Sequence, residues 1–294
     1  MTESSTSPPT GRAAPATVES PPTPRTPAGG AGLAALLTAP ENALVALDYD
    51  GTLSPIVSRP GDAVPAPGAM AALSRIARRV GTVAIITGRP VDAVLQLTEA
   101  ARFADLGRLL VLGQYGLQRW DAETGQTTSP EPLPGVGTLR SALTEALQDA
   151  PAGTSVEDKQ HALVVHVRRT ADPDATLAAL TPALSRLAQD HGLEAAPGKR
   201  VLELRPPGHD KGRALRALIA ERGARSVLVA GDDLGDLPAF EAVDELRASG
   251  VGGVTVCSDS PEVPDALRLR ADLVVDGPAG MVTLLEVLAD RLMP

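Results

Sequence analysis

A doubly wound, mostly parallel, Rossmann-like α/β sheet carrying an inserted smaller α/β cap domain is the fold class that three observations predict. Short apolar runs recur along the chain, helical patterns lie between several of them, and a central stretch breaks that alternation with elements of its own.

Taken in order, the first 30 residues are dominated by Pro, Ser, Thr, Ala and Gly and predict a disordered leader over 1–30, because such a composition buries too little apolar surface to order itself. Apolar runs at 43–47, 82–86, 109–112, 226–230, 253–257 and 272–275 predict buried parallel strands. Between them, Met70, Leu73, Ala77 and Val80 recur at helical spacing, as do Leu215, Leu218 and Ile219. A last helix sets Met281, Leu284, Leu285, Leu288 and Leu292 on one face. The interruption contains a helix near 137–149, a strand at 162–167, a helix with Leu177, Leu180, Leu184 and Leu187, and a strand at 200–204. The expected division is therefore a core of 31–116 and 208–294 and a cap of 117–207, joined by the turn-rich segments TGQTTSPEPLPG and RPPGHD.

Composition narrows the function. Aromatic residues make up 2% of the chain and the net charge is −9, which argues against base stacking and against a nucleic-acid backbone or an anionic bilayer as partner. No stretch approaches the ~20 apolar residues that span a membrane, and no signal-peptide pattern opens the chain. A single cysteine, Cys257, forms no intrachain disulfide and fits a reducing, cytoplasmic setting. No obligate protein partner is evident; a small molecule is the expected partner.

Four motifs carry chemistry. LDYDGTL at 47–53 follows an apolar strand and sets Asp48 and Asp50 two residues apart, on one side of an extended backbone at the sheet's carboxyl edge. Carboxylates there suit a hard cation such as Mg²⁺. IITGRP at 85–90 ends a strand in Thr87 and Gly88 before a helix start, offering a hydroxyl and free amides to anionic oxygen; helix capping by Thr87 is the plainer alternative. GHDKG at 208–212 puts Lys211 at a helix start, where the macrodipole disfavours a cation unless an anion is near. GDDLGD at 231–236 gathers Asp232, Asp233 and Asp236 at another strand end, where they repel one another unless a cation intervenes.

The order DxD, Thr, Lys, DD resembles the haloacid-dehalogenase superfamily of phosphohydrolases. That resemblance implies that Asp48 is the nucleophile and Asp50 the general acid/base, and that Thr87, Gly88 and Lys211 bind the phosphoryl group. It also implies that Mg²⁺ is held by Asp48, the main-chain carbonyl of Asp50 and Asp232, with Asp236 in support.

Within the cap, VEDKQHALVVHVRR at 156–169 and VLELRPPGHDKG at 201–212 are similar to the trehalose-6-phosphate phosphatase family. The similarity spans roughly 40–290. It implies hydrolysis of trehalose 6-phosphate through an aspartyl phosphate, the last step of trehalose biosynthesis, with Glu157, Lys159, Glu203 and Arg205 binding the sugar. A related sugar-phosphate phosphatase, for sucrose, mannosylglycerate or hexose phosphates, shares the core motifs; a catalytically silent sugar-phosphate sensor is a further alternative. Two departures stand out: Gly235 where the family more often has Thr, and GQYGLQ at 113–118 in place of a segment with a His and a terminal Glu. The second leaves the contacts of Gln114 and Tyr115 open.

Overall fold

The computed structural model describes residues 23–100 and 106–293. The chain runs through α1 (Pro27–Thr38), β1 (Ala43–Leu47), α2 (Ala69–Ala77), β2 (Thr82–Ile86), α3 (Val91–Thr98), β3 (Leu109–Gly113), β4 (Gln118–Asp121) and β5 (Gln126–Thr128). It continues through α4 (Pro134–Ala146), β6 (Ser155–Asp158), β7 (Leu163–His166), α5 (Pro173–Asp190), β8 (Glu194–Gly198) and β9 (Val201–Arg205). The last stretch is α6 (Lys211–Arg222), β10 (Ser226–Gly231), α7 (Leu237–Ala248), β11 (Gly252–Asp259), α8 (Asp265–Arg270), β12 (Leu273–Asp276) and α9 (Gly277–Arg291).

Eight strands form one sheet in the order β12-β11-β10-β1-β2-β3-β4-β5, parallel from β12 to β3 and antiparallel beyond. The unbroken apolar runs reflect burial on both faces. Val45, Leu47, Val83 and Ile85 pack beneath α1, α2 and α9, whereas the alternate residues Leu44, Ala46, Ala84 and Ile86 pack beneath α6 and α7. Each fully buried Val, Leu or Ile among them contributes ~1.5–3 kcal/mol. β1 lies between β2 and β10, where the strand order reverses, and that reversal opens a crevice at the carboxyl ends.

The second sheet is antiparallel, in the order β6-β7-β9-β8. Leu163, Val165, Leu202 and Leu204 bury one face against Leu139 and Leu143 of α4 and Leu184 and Ala188 of α5. The alternate positions are more polar and face the crevice of the large sheet.

Two expected boundaries move. Residues 118–128, read from sequence as the start of the cap, pair as β4 and β5 with the edge of the large sheet. Their runs are short and polar, so no apolar period marked them. The leader expectation over 1–30 also extends too far, although its first 22 residues lie outside the described ones. Helix α1 begins at Pro27, and the Thr26 side chain accepts from Gly29 N while its hydroxyl donates to the buried Asp272. Arg25 donates to the carbonyls of Arg268 and Ala271. Low-complexity composition hid a segment that is ordered by tertiary contact. No helix among the described residues is long and apolar enough to cross a membrane.

Candidate active site

The crevice at the strand-order reversal collects the sequence motifs. Asp48 leaves the end of β1, with its amide donating to Ala230 O at 2.9 Å, and Asp232 follows β10. Gly51, at φ +78°, lies so close to Asp232 that a Cβ there would meet the carboxylate at 2.1 Å, so only glycine permits both the turn and the approach. Asp236 accepts through Oδ2 from the amides of Asp232 and Asp233, at 3.0 and 3.2 Å, which fixes the loop around the acid cluster.

Lys211 opens α6 and is 5% exposed. Its Nζ lies 2.7 Å from Asp48 Oδ1 and 2.6 Å from Asp236 Oδ1, which supplies the anionic partners that its place at a helix start demands. Burial alone would lower its pKa, but Asp236 and Asp48 outweigh that and hold it well above the usual lysine range.

Asp48, Asp232 and Asp236 are each at most 6% exposed and offer carboxylate oxygens within 4.8 Å of one another, the one such group of potential metal ligands among the described residues. Burial raises the pKa of Asp48 and Asp236 against the opposing charge of Lys211, and pushes Asp232 up to about 7 against that of Lys199. A buried, all-oxygen, mutually repelling donor set fits a hard divalent cation. The cap already supplies a cation here: Lys199, in the β8–β9 turn, pairs with Asp232 Oδ2.

Asp50 is held differently. Arg89 grips its carboxylate in a fork, Nε to Oδ2 at 2.6 Å and Nη2 to Oδ1 at 2.7 Å, and also donates to Pro60 O at 2.9 Å. The Asp50 carboxylate is therefore not part of the three-carboxylate group; of Asp50, it is the main-chain carbonyl that the family resemblance assigns to the metal. Thr87 is buried at the end of β2, and its hydroxyl accepts from Arg89 N at 3.2 Å, ahead of α3, whose cap residue is Pro90.

A cavity of about 900 Å³ joins these residues to the polar face of the small sheet. Glu157, Val164, Glu203 and Ala196 lie side by side across the four strands. Lys159 Nζ lies 3.0 Å from Gly88 O and 3.2 Å from Glu203 Oε1, tying that face to the loop that follows β2. His166 bonds Glu157 Oε2 at 2.8 Å and lowers its pKa. Arg205 lines the cavity but spends its guanidinium on Glu194, at 3.1 Å, and on the ring of Tyr115, 4.3 Å from the centroid.

The sequence candidates thus meet in one cavity, except that Asp236 lies behind its lining, bonded to Lys211 and to the Asp232 amide. Arg89, Tyr115, His166 and Lys199 join them without having been singled out for a role. Arg89 stood inside the IITGRP motif, and a cation beside a strand-end acid pair was a usable signal; Lys199 stood in a glycine turn like any surface lysine.

A sequence model of the trehalose-phosphatase family matches residues 46–274. The chain is 34% identical over 239 residues to an uncharacterised glycosyl hydrolase of Mycobacterium tuberculosis, covering 78% of this chain and 17% of that protein. It is 32% identical over 259 residues to a trehalose-phosphate phosphatase of Mycobacterium avium, covering 84% of this chain and 62% of that protein. The chain therefore spans less than two thirds of either relative. The C-terminal domain of a Candida albicans trehalose-6-phosphate phosphatase superposes with a TM-score of 0.73 at 20% identity, over 92% of this chain and 99% of that one, and shares the fold.

Proposed function

We propose, for a chain that belongs to the trehalose-phosphatase family, that it hydrolyses trehalose 6-phosphate to trehalose and inorganic phosphate by way of a phosphoryl group carried on Asp48. One observation carries this reading: the same cavity is lined by buried carboxylates at one end and by Glu157, Lys159 and Glu203 of the small sheet at the other. A phosphate ester is drawn to the first end by Lys211 and by the cation those carboxylates would hold, and a polyhydroxylated remainder makes use of the second.

In the first step an oxygen of Asp48 forms a bond to phosphorus as the bond from phosphorus to the sugar oxygen breaks, and Asp50 gives that oxygen a proton. In the second, Asp50 takes a proton from water, which attacks phosphorus and releases Asp48 and phosphate. Lys211, 2.7 Å from Asp48, holds the nucleophile's orientation and offsets the charge of the incoming phosphate. The Thr87 hydroxyl and the amides that follow it offer donors to the phosphate oxygens. Asp48, Asp232 and the main-chain carbonyl of Asp50 would hold Mg²⁺, with Asp236 behind them; when bound, the ion offsets the negative charge of phosphate and carboxylates so that one anion can approach the other. Glu157 and Glu203 accept from sugar hydroxyls and Lys159 donates to them.

Phosphate release from trehalose 6-phosphate, glucose 6-phosphate, sucrose 6-phosphate and p-nitrophenyl phosphate, with and without Mg²⁺, tests this. The expected result is Mg²⁺-dependent release with trehalose 6-phosphate strongly preferred. Preference for another sugar phosphate would move the substrate; turnover undiminished after chelation would remove the metal.

A further inference from the structure

The segment Gly113–Gln118 is the one motif left without a role, and it lies between the phosphate-binding loop and the small sheet. Gln114 and Tyr115 stand at φ +49° and +59°, two consecutive non-glycine residues in the left-handed region, a conformation that persists only when its surroundings impose it. The surroundings are the phosphate loop itself: Gln114 N donates to Arg89 O and Tyr115 N donates to Thr87 O, both at 3.0 Å. From that anchored backbone the Tyr115 hydroxyl lies over Gly88, where a Cβ would meet it at 2.7 Å, the same residue whose carbonyl holds Lys159 against the Glu203 carboxylate. Arg205 covers the ring from the cap side, and the Gln114 amide donates to Lys159 O. Burial and the Glu203 charge hold the phenol well above its ordinary pKa, so it remains a donor.

Glu203 is 5% exposed and therefore has little freedom to choose its partners. Lys159 occupies Oε1, at 3.2 Å, and is itself tied to Gly88 O. Lys159 at Oε1 and Arg205, whose Nη1 lies 3.9 Å from Oε2, flank the carboxylate with the phenol beside them, and Glu203 itself lines the cavity.

We propose that Tyr115 is a specificity-determining residue that orients the Glu203 carboxylate for sugar hydroxyls and locks the sugar-binding face to the phosphate-binding loop. Resting on the trehalose-phosphate reading, it adds a residue of the large-sheet unit to the machinery that selects the sugar. A phosphate ester lacking a sugar makes no use of the lock, so Tyr115 acts on the difference between substrates rather than on the chemical step.

The test compares wild type, Tyr115→Phe, Glu203→Ala and the double variant by kcat/KM on trehalose 6-phosphate and on p-nitrophenyl phosphate. Tyr115→Phe keeps the ring beneath Arg205 and removes one hydroxyl, so the fold is retained. The ratio of the two kcat/KM values is expected to fall about 10-fold, the loss typical of a hydrogen bond to a charged group. In the Glu203→Ala background the same change should lower the ratio less than twofold, because the carboxylate it orients is gone. A ratio within twofold of wild type in Tyr115→Phe, or equal losses in both backgrounds, would overturn the proposal. A wild type that does not prefer trehalose 6-phosphate would overturn the substrate reading instead, and the sugar phosphate it does prefer then serves in the same cycle.

Discussion

The two sheets present their functional residues in opposite ways. In the parallel part of the large sheet both faces are covered, so the strands have no free side chains for chemistry and the candidate groups sit in the turns beyond their carboxyl ends: Asp48 after β1, Thr87 after β2, Asp232 after β10. In the small antiparallel sheet only one face is covered by helices, so Glu157 and Glu203 project from the strands themselves, opposite the buried Leu163, Val165, Leu202 and Leu204. Strand-end groups depend on turns and helix starts, while strand-face groups depend on register. The first arrangement suits a reaction centre needing several convergent charges; the second suits a surface that reads a spread of hydroxyls.

This contrast yields a graded set of experiments. The largest effect is expected at a strand end: Asp48→Asn should lower turnover of every phosphate ester at least ~10³-fold with Tm held within a few degrees, as for other covalent nucleophiles. Residual turnover within tenfold of wild type would place the reaction elsewhere. Next comes the strand face, where Glu157→Ala should reduce kcat/KM for trehalose 6-phosphate roughly 10- to 150-fold, the range for a lost charge-assisted hydrogen bond, and p-nitrophenyl phosphate much less. Equal losses on the two substrates would erase the division of labour between the sheets.

A smaller effect concerns the acid cluster. Because Asp232 is pushed up to about 7 by burial, against the opposing charge of Lys199, it carries a proton below that pH in the metal-free protein. Mg²⁺ must displace the proton, so affinity measured by calorimetry should weaken as pH falls from about 8 to about 6, with more protons released per ion. The linkage to folding has the opposite sense. A carboxyl whose folded pKa lies above its unfolded 3.8 stabilises the metal-free protein most at low pH, and that contribution is lost as pH rises through about 7. Affinity independent of pH over that window would exclude the cluster as the ion's seat. The smallest effect lies far from both sites: deletion of residues 1–28 removes Arg25 and the Thr26 cap from Asp272. It should cost about 1–2 kcal/mol, roughly 2–4 °C in Tm, while turnover at low temperature is kept. An unchanged Tm would show those contacts to be idle.

Legibility in the sequence follows the same contrast. The six core strands stood out because burial on both faces demands unbroken apolar runs, and the acids stood out because each followed such a run within a few residues. Strands β4 and β5 did not, since QRWD and QTT are short and polar at a sheet edge, and α1 was hidden in a Pro- and Gly-rich stretch. On the small sheet, Glu157, Lys159 and Glu203 were reached through family likeness, because a Glu on a half-buried strand has the same local signature as any solvent-exposed one.

What the sequence by itself determined is the sheet, its doubly wound class and the strand-end acids, because apolar period and turn chemistry are local properties written in consecutive residues. What only the tertiary structure decided is which distant charges complete one another. Arg89 grips Asp50 across 39 positions, Lys199 reaches Asp232 across 33, and Lys211 bridges Asp48 and Asp236. Those pairings depend on strand order and on how the small sheet lies over the large one, and a pair of charges far apart along the chain has no interaction until folding removes the water between them.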